Sequence, residues 1–380
     1  MGTISKRTLS DGTLRYRAEI RINRKEYPVY KESKTFSTNK LAEKWLKKRE
    51  LEIEANPNVL HSKKANTPLT LSNAIDLYLE EVGGVYTKSK VNTLKLIKRF
   101  PIGKKKLSHL CATDLSDHVA LRNTYCPKVK VGPISPSTIL QELLQIRTVI
   151  THASIMWDAE VNIQVFDKTT AQLRKTRKIS ASLSRDRLPT NDELKRLILF
   201  FYDKWTLKKF TRYPMHLICM LAITSCRRQA EITRLEFRDF EKEFNTWQVR
   251  DIKNPNGSKG NHKSFIVSDD CQKVIDLLMQ PEVRKRFKSK TEGVYLVPLR
   301  SQTLATEFHH ACNALGIENL RFHDLRHEGC TQLAEKGLTV PQIQQYSLHS
   351  SWQSLQRYVS LKKRKAPLTI DEMLHLINEM

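Results

Sequence analysis

The sequence predicts a mainly α-helical, multidomain α+β protein, and three observations carry that expectation. A chain of 380 residues exceeds what one compact core ordinarily supports. Two polar, cationic stretches, 55–69 and 169–187, have the composition of linkers. Elsewhere apolar residues recur at helical spacing, and strand-like alternation is confined to the first 37 residues and one later hairpin.

The alternation runs through Gly12-Thr13-Leu14-Arg15-Tyr16-Arg17-Ala18-Glu19-Ile20-Arg21-Ile22 and resumes from Glu26 to Phe36, which predicts a small three-stranded sheet. Thr38 and Asn39 are suited to cap a helix over Lys40–Glu54, whose Leu41, Ala42, Trp45, Leu46 and Leu51 form one apolar stripe. Residues 1–66 hold 16 Lys plus Arg against 8 Asp plus Glu, so a nucleic-acid-binding module and a merely solvated basic unit both fit. From Leu69 to about Asp167 the pattern is helical: Leu71, Ala74, Ile75, Leu77, Tyr78 and Leu79 open it. Ile139, Leu140, Leu143, Leu144, Ile146, Val149, Ile150 and Ala153 then mark a buried face. Lys104-Lys105-Lys106 and Lys128-Val129-Lys130 fall between helices, as phosphate contacts or as solvated charge. From Leu188 onward Thr190 precedes a helix through Leu194, Leu197, Ile198 and Phe201. Trp247–Ile252 and Ser264–Val267 read as two strands around the turn-rich Asn254–Ser258. The expected domains are therefore 1–60, 67–170 and 186–380.

Lys plus Arg total 65 against 40 Asp plus Glu, a net charge of +25, and the partner this implies is a polyanion. No apolar run approaches the ~18 residues that span a bilayer, and the longest, Met215–Ile223, contains His216. The N-terminus has no apolar signal core, and the 7 cysteines are scattered singly without C-x-x-C spacing. A soluble cytoplasmic protein with unpaired thiols, mostly in cores, is the expectation.

Three constellations carry chemistry. Arg228-Gln229-Ala230-Glu231-Ile232 puts Arg228 and Glu231 at i, i+3, either a surface ion pair or a guanidinium held ready for phosphate. His323-Asp324-Leu325-Arg326-His327 opens a helix expected to end at Gly337. His323 and Arg326 share a face there, a titratable imidazole beside a permanent cation. His323 and His327 at i, i+4 also fit a zinc hydrolase, but Asp324 is shorter than the Glu of such sites, Arg326 would crowd the metal, and no third ligand stands out. His327 therefore reads as a helix-packing residue. Finally, Leu348-His349-Ser350-Ser351-Trp352 precedes Tyr358, nine residues after the histidine and near the end of a short helix.

Arg228 with Glu231, a hairpin lysine, His323 with Arg326, then His349 and Tyr358 resemble in order and spacing the active-site set of the tyrosine recombinase, or phage integrase, family. The resemblance covers residues 186–365, and the two preceding units look like that family's core-site and arm-type DNA-binding domains. It implies a site-specific recombinase of a mobile element, such as an integrating viral genome, that cuts and rejoins DNA through a 3′-phosphotyrosyl intermediate on Tyr358. In that scheme Arg228 and Arg326 clamp the nonbridging oxygens, His349 hydrogen-bonds the phosphate and His323 assists proton movement. Lys253 or Lys259 protonates the leaving oxygen, and Glu231 orients Arg228. No cofactor and no metal are implied. The implied partners are double-stranded DNA at core and arm sites, a homotetramer on that DNA, and DNA-bending or excision accessory proteins, with no membrane. Where the family has Thr-Gly this chain has Ser225-Cys226, and Leu348 replaces the glycine before the second histidine; neither position is expected to supply chemistry. Two alternatives share the charge: a non-catalytic DNA-binding regulator, and a type IB topoisomerase-like relaxation enzyme.

Overall fold

The computed structural model describes residues 2–8, 14–23, 29–55, 69–127, 129–182, 185–207, 213–254, 257–287, 291, 293–358 and 366–378. Most of the first expected linker, Lys128, and Pro255-Asn256 of the hairpin turn lie outside the described residues. The chain divides into two compact units, 1–183 and 184–380.

In the first unit, β1 (Gly2–Thr8), β2 (Leu14–Ile22) and β3 (Tyr30–Phe36) form an antiparallel sheet in that order. α1 (Asn39–Ala55) lays Ala42 and Ile53 against it, closing a small core with Ile20 and Tyr30. The helical part comprises α2 (Leu71–Val82), α3 (Lys88–Ile97), α4 (Ala112–Asn123), α5 (Pro136–Met156) and α6 (Ile163–Lys175). All the apolar positions predicted on α5 except Leu144 are buried. Inside this bundle Arg122 on α4 grips Glu142 on α5 through Nε and Nη2, at 2.9 and 2.7 Å, and His118 adds a contact of 3.3 Å.

The expected linker over 169–187 is a correction. Its first part is the end of α6, opened by Asn162 accepting from the Val165 amide at 3.0 Å and anchored by Phe166 and Leu173. Arg174 and Lys175, read as linker charge, sit in the last turn where they complement the helix dipole. Arg177 then turns the chain at φ 57°, and Ile179 is buried in the bundle core.

The second unit consists of α7 (Asn191–Leu207), α8 (Met215–Thr224), α9 (Gln229–Ile232), β4 (Phe240–Glu241), β5 (Thr246–Val249), β6 (Lys263–Ile266), α10 (Asp269–Met279), α11 (Pro281–Phe287), α12 (Ser301–Ala314), α13 (Phe322–Glu335), α14 (Val340–Ser347) and α15 (Ile370–Asn378). The apolar run Met215–Ile223 is α8, buried on every side and packed against α7, α10 and α13. The hairpin is shorter than predicted and gains the short strand β4. Asp251 leaves the ladder at φ 50°, its amide donating to the His262 ring at 3.1 Å, and pairing resumes only where Ile252 donates to Asn261 O at 2.8 Å. Lys253 and Lys259 thus both lie beyond the strands rather than at a strand end. The tail helix α15 docks on its own unit, with Ile370, Met373 and Ile377 in the main core against α7. Asn191 pins the tail's entry, receiving the Leu368 amide at 3.2 Å and donating to Ala366 O at 2.9 Å.

α13 packs tightly on the end of α8 at Gly329, where a Cβ would stand 1.9 Å from Ile223 O and 2.9 Å from Cys226 Sγ. Main chain cannot yield as a side-chain tip does, so Gly329→Ala should lower stability by about 3 kcal/mol or more. Chemical denaturation of wild type and variant measures it.

Candidate active site

The site is built where α8 ends. Ser225 caps the helix, Cys226 turns the chain at φ 52°, and Arg228 becomes the N-cap of α9. Glu231, three residues on, is buried and accepts from Arg228 Nη1 at 2.6 Å and from the Arg228 amide at 3.2 Å. Its other oxygen also faces Arg227 Nη1 at 3.6 Å and Arg326 Nη1 at 3.7 Å. Burial alone would raise the Glu231 pKa, but the Arg227, Arg326 and Arg228 charges outweigh it and hold the carboxyl below its ordinary range. Of the two readings of Arg228 and Glu231, the structure shows a carboxylate deep among guanidiniums. Arg228 itself remains about a third exposed, at 34%.

Arg227 is fully buried over the Phe265 ring at 4.6 Å and donates to the carbonyls of Ser225 and Tyr346. Burial pulls its pKa down to about 10. The sequence offered only its position beside Arg228 as a signal, and no role was predicted for it.

α13 is fixed at its start by Asp324, which accepts from the Arg321 amide at 2.8 Å and takes a two-pronged contact from Arg185 at 2.9 and 2.7 Å. This anchorage delivers His323, Arg326 and His327 to the site from the first turn and a half of the helix. Arg326 is buried; Nη1 donates to Cys226 O at 2.6 Å, and Nη2 donates to Ser347 O at 2.9 Å. At position 226 it is thus the main chain, not the cysteine side chain, that holds the second arginine. α14 ends at Leu348 with φ 55°, so both positions where the family carries glycine are left-handed here and held by bulkier residues.

That corner aims His349 inward, its Nδ1 2.7 Å from Ser347 Oγ and its Nε2 3.1 Å from Arg326 Nη2. Burial, then the Arg326 and Arg228 charges, push its pKa down to about 2, so the ring is neutral. The His323 pKa is also lowered, by desolvation and by the same two arginines, although part of the ring reaches solvent. Tyr358 is the last residue of a short 3-10 helix, Gln356–Tyr358; it is buried, its ring centroid 6.5 Å from that of His349. His327, predicted to be a packing residue, meets the Tyr358 hydroxyl through Nδ1 at 2.8 Å, which corrects that expectation.

The structure thus gathers Arg228, Glu231, His323, Arg326, His349 and Tyr358. Among the described residues neither hairpin lysine joins their hydrogen bonds. Lys253 lines a cleft of about 370 Å³ with Ala230, Thr233 and Arg234, against the helix that carries Glu231; Lys259 does not. Among the described residues no cluster of three His, Cys, Asp or Glu side chains has metal-holding geometry, and no helix is long and apolar enough to cross a membrane.

A tyrosine hydroxyl bonded to an imidazole, next to a cluster of guanidiniums on this helical scaffold, matches what enzymes that cut and rejoin DNA through tyrosine require, and comparison with known proteins points to the same class. Residues 189–365 match the phage integrase family. The shufflon-specific DNA recombinase of Escherichia coli is 25% identical over 298 residues, covering 77% of this chain and 70% of its own. Two solved structures share the fold. The Tn1549 transposon integrase in complex with a circular intermediate DNA has TM-score 0.58 and 13% identity, covering 82% of this chain and 99% of its own. A lambda integrase tetramer bound to a Holliday junction has TM-score 0.55 and 15% identity, covering 95% and 98%. Residues 189–365 thus form a phage integrase family domain, that of the tyrosine-type site-specific DNA recombinases.

Two buried neutral histidines make the catalytic unit acid-sensitive: His349, and His216 on α8, pushed to about 3 chiefly by burial. Their folded-state values are depressed, so below about pH 6.5 the unfolded chain binds protons the folded one refuses, and stability falls as pH falls. Urea denaturation between about pH 6.5 and 5 should show a loss approaching ~1.4 kcal/mol per pH unit per histidine, above the range where carboxylates contribute. His349→Gln should flatten that slope.

Proposed function

We propose that Tyr358 is the nucleophile, attacking a DNA phosphorus to form a 3′-phosphotyrosyl bond and release a 5′ hydroxyl. The observation that carries this reading is the placement of its phenol against His327 and near His349, which itself contacts Arg326, in a site where three arginines surround one carboxylate. A phosphodiester resists attack because its transition state gathers negative charge on the nonbridging oxygens, and fixed cations oppose that cost. Arg228, held from behind by Glu231 and open in front, supplies one such cation. Arg326, braced on two carbonyls, supplies the other. His349 hydrogen-bonds the phosphate in this reading once Arg326 Nη2 turns from the His349 ring to that phosphate and leaves Nε2 free to carry the N–H, and His323 lines the phosphate pocket. Lys253 is the acid for the leaving oxygen, favoured over Lys259 by its place on the cleft beside α9.

The covalent link conserves the energy of the broken bond, so rejoining needs no nucleotide hydrolysis. Four protomers on two duplexes is the assembly we infer, supported by the lambda integrase tetramer on a Holliday junction. Residues 1–60 and 67–170 are the arm-site and core-site DNA-binding domains in this reading, with accessory DNA-bending proteins acting on the same DNA. The setting is the cytoplasm, and the DNA moved is a mobile element such as a viral genome.

The test is incubation of the full chain, in EDTA, with labelled duplexes from the ends of the DNA element that encodes it. Wild type should give an SDS-resistant protein–DNA adduct, Tyr358→Phe none, and Arg228→Ala an adduct formed on the order of 100-fold more slowly or worse. DNA binding without any wild-type adduct would overturn the reading in favour of a regulator.

A further inference from the structure

A side chain in direct contact with the reactive oxygen of Tyr358 is His327, to which neither the family set nor the reading above gives a role. Its Nδ1 lies 2.8 Å from the hydroxyl, with ring centroids 6.4 Å apart. α13 places it one residue after Arg326 and one turn after His323, so the anchorage of that helix by Asp324 and Arg185 also sets the distance to the phenol.

A phenol with an ordinary pKa near 10 is a weak nucleophile at neutral pH until it loses its proton, and a base at hydrogen-bond distance is the remedy. The titratable and charged groups around the pair can be compared as candidates. His349 has Ser347 Oγ on one nitrogen and Arg326 on the other. His323 meets the His327 ring edge to face, at 4.9 Å between centroids. Cys330, also on α13, has a thiol hydrogen-bonded to Tyr358 and to Cys226 within a fully buried pair. Arg228 and Arg326 are permanent cations. His327 alone among these combines a basic nitrogen, direct contact with the hydroxyl and partial access to solvent through which a proton can leave.

We propose that His327 is a further catalytic residue, the base that receives the phenol proton as Tyr358 attacks. The proposal rests on Tyr358 being the nucleophile. As the Tyr358 Oη–P bond forms, the Oη–H bond breaks and its proton passes to His327 Nδ1. The P–O5′ bond breaks, and its electron pair stays on O5′, which takes a proton from the hairpin lysine. On rejoining, the 5′ hydroxyl displaces the tyrosine, the imidazolium returns its proton to Oη, and the lysine recovers its own. Protons and charge are restored with no co-reactant. His323 then serves the phosphate pocket, and the proton movement that its position suggested belongs to the next turn of the same helix.

The experiment measures the rate of adduct formation against pH, using the full chain and nicked duplexes from the ends of the encoding element. The chains compared are wild type, Tyr358→Phe, His327→Asn and Cys330→Ala. An Asn Oδ1 falls near the position of Nδ1 and accepts the phenol hydrogen bond but does not take its proton, so it preserves positioning while removing the base. Wild type should slow as pH falls through the imidazole range, about 5 to 8. His327→Asn should bind the same DNA with unchanged affinity, react on the order of 10²-fold slower or more, and lack that acid limb; Cys330→Ala should keep it. A substrate with sulfur in place of the bridging O5′, whose leaving group needs no acid, should restore a Lys253→Ala chain but not His327→Asn. An acid limb retained in His327→Asn, a rate within about twofold of wild type, or loss of the limb in Cys330→Ala instead would overturn the proposal. If His327→Asn loses DNA binding, His327→Ala with added imidazole replaces it: recovered rate supports the base, and no recovery overturns it. Absence of an adduct from wild type would sink the nucleophile reading itself and is thereby distinguished from failure at His327.

Discussion

One carboxylate, Glu231, organises the catalytic unit. It lies buried within reach of three guanidiniums, those of Arg227, Arg228 and Arg326, which come from the α8–α9 corner and from α13. Removing a charge from water is costly unless it is paired, so the elements that bring these groups together are held to one arrangement. Arg227 extends the tie to the carbonyl of Tyr346 and Arg326 extends it to that of Ser347, both on α14. Three positive charges against one negative leave a surplus of positive charge in this region, which suits it to receive an anion.

How much of this was legible in the sequence depends on whether a feature is local. The α9 start was legible, because Arg228 and Glu231 are three residues apart and a helix brings such pairs together. So was the start of α7, where Thr190 and Glu193 exchange hydrogen bonds as a capping box. The buried face of α5 followed from its spacing. Order along the chain made the arginine, histidine and tyrosine set recognisable although no single motif was specific.

What was not legible came from contacts distant in sequence or from the main chain. Nothing in the composition of 169–175 marks a helix end, because Arg174 and Lys175 are as common in linkers as in last turns, and Asn162, which starts that helix, lies outside the stretch that looked irregular. The hairpin's length depended on the departure at Asp251, a conformation that a non-glycine residue does not advertise. His327 was assigned to packing because its partner is 31 residues away on a turn whose orientation no local pattern encodes. The two carbonyls that seat Arg326 have no signature at all, since every residue carries one.

That last feature bears on how such proteins diverge. Because the second arginine is held by the main-chain oxygens of Cys226 and Ser347, what positions 226 and 348 must supply is a conformation and not a side chain. Glycine adopts that left-handed geometry freely; a cysteine or a leucine does so at a cost of about 1–2 kcal/mol each, which the surrounding core absorbs by burying both. These corners therefore tolerate residues other than glycine wherever the rest of the domain has that much stability to spare, and the absence of a glycine there leaves the arrangement of charges in place.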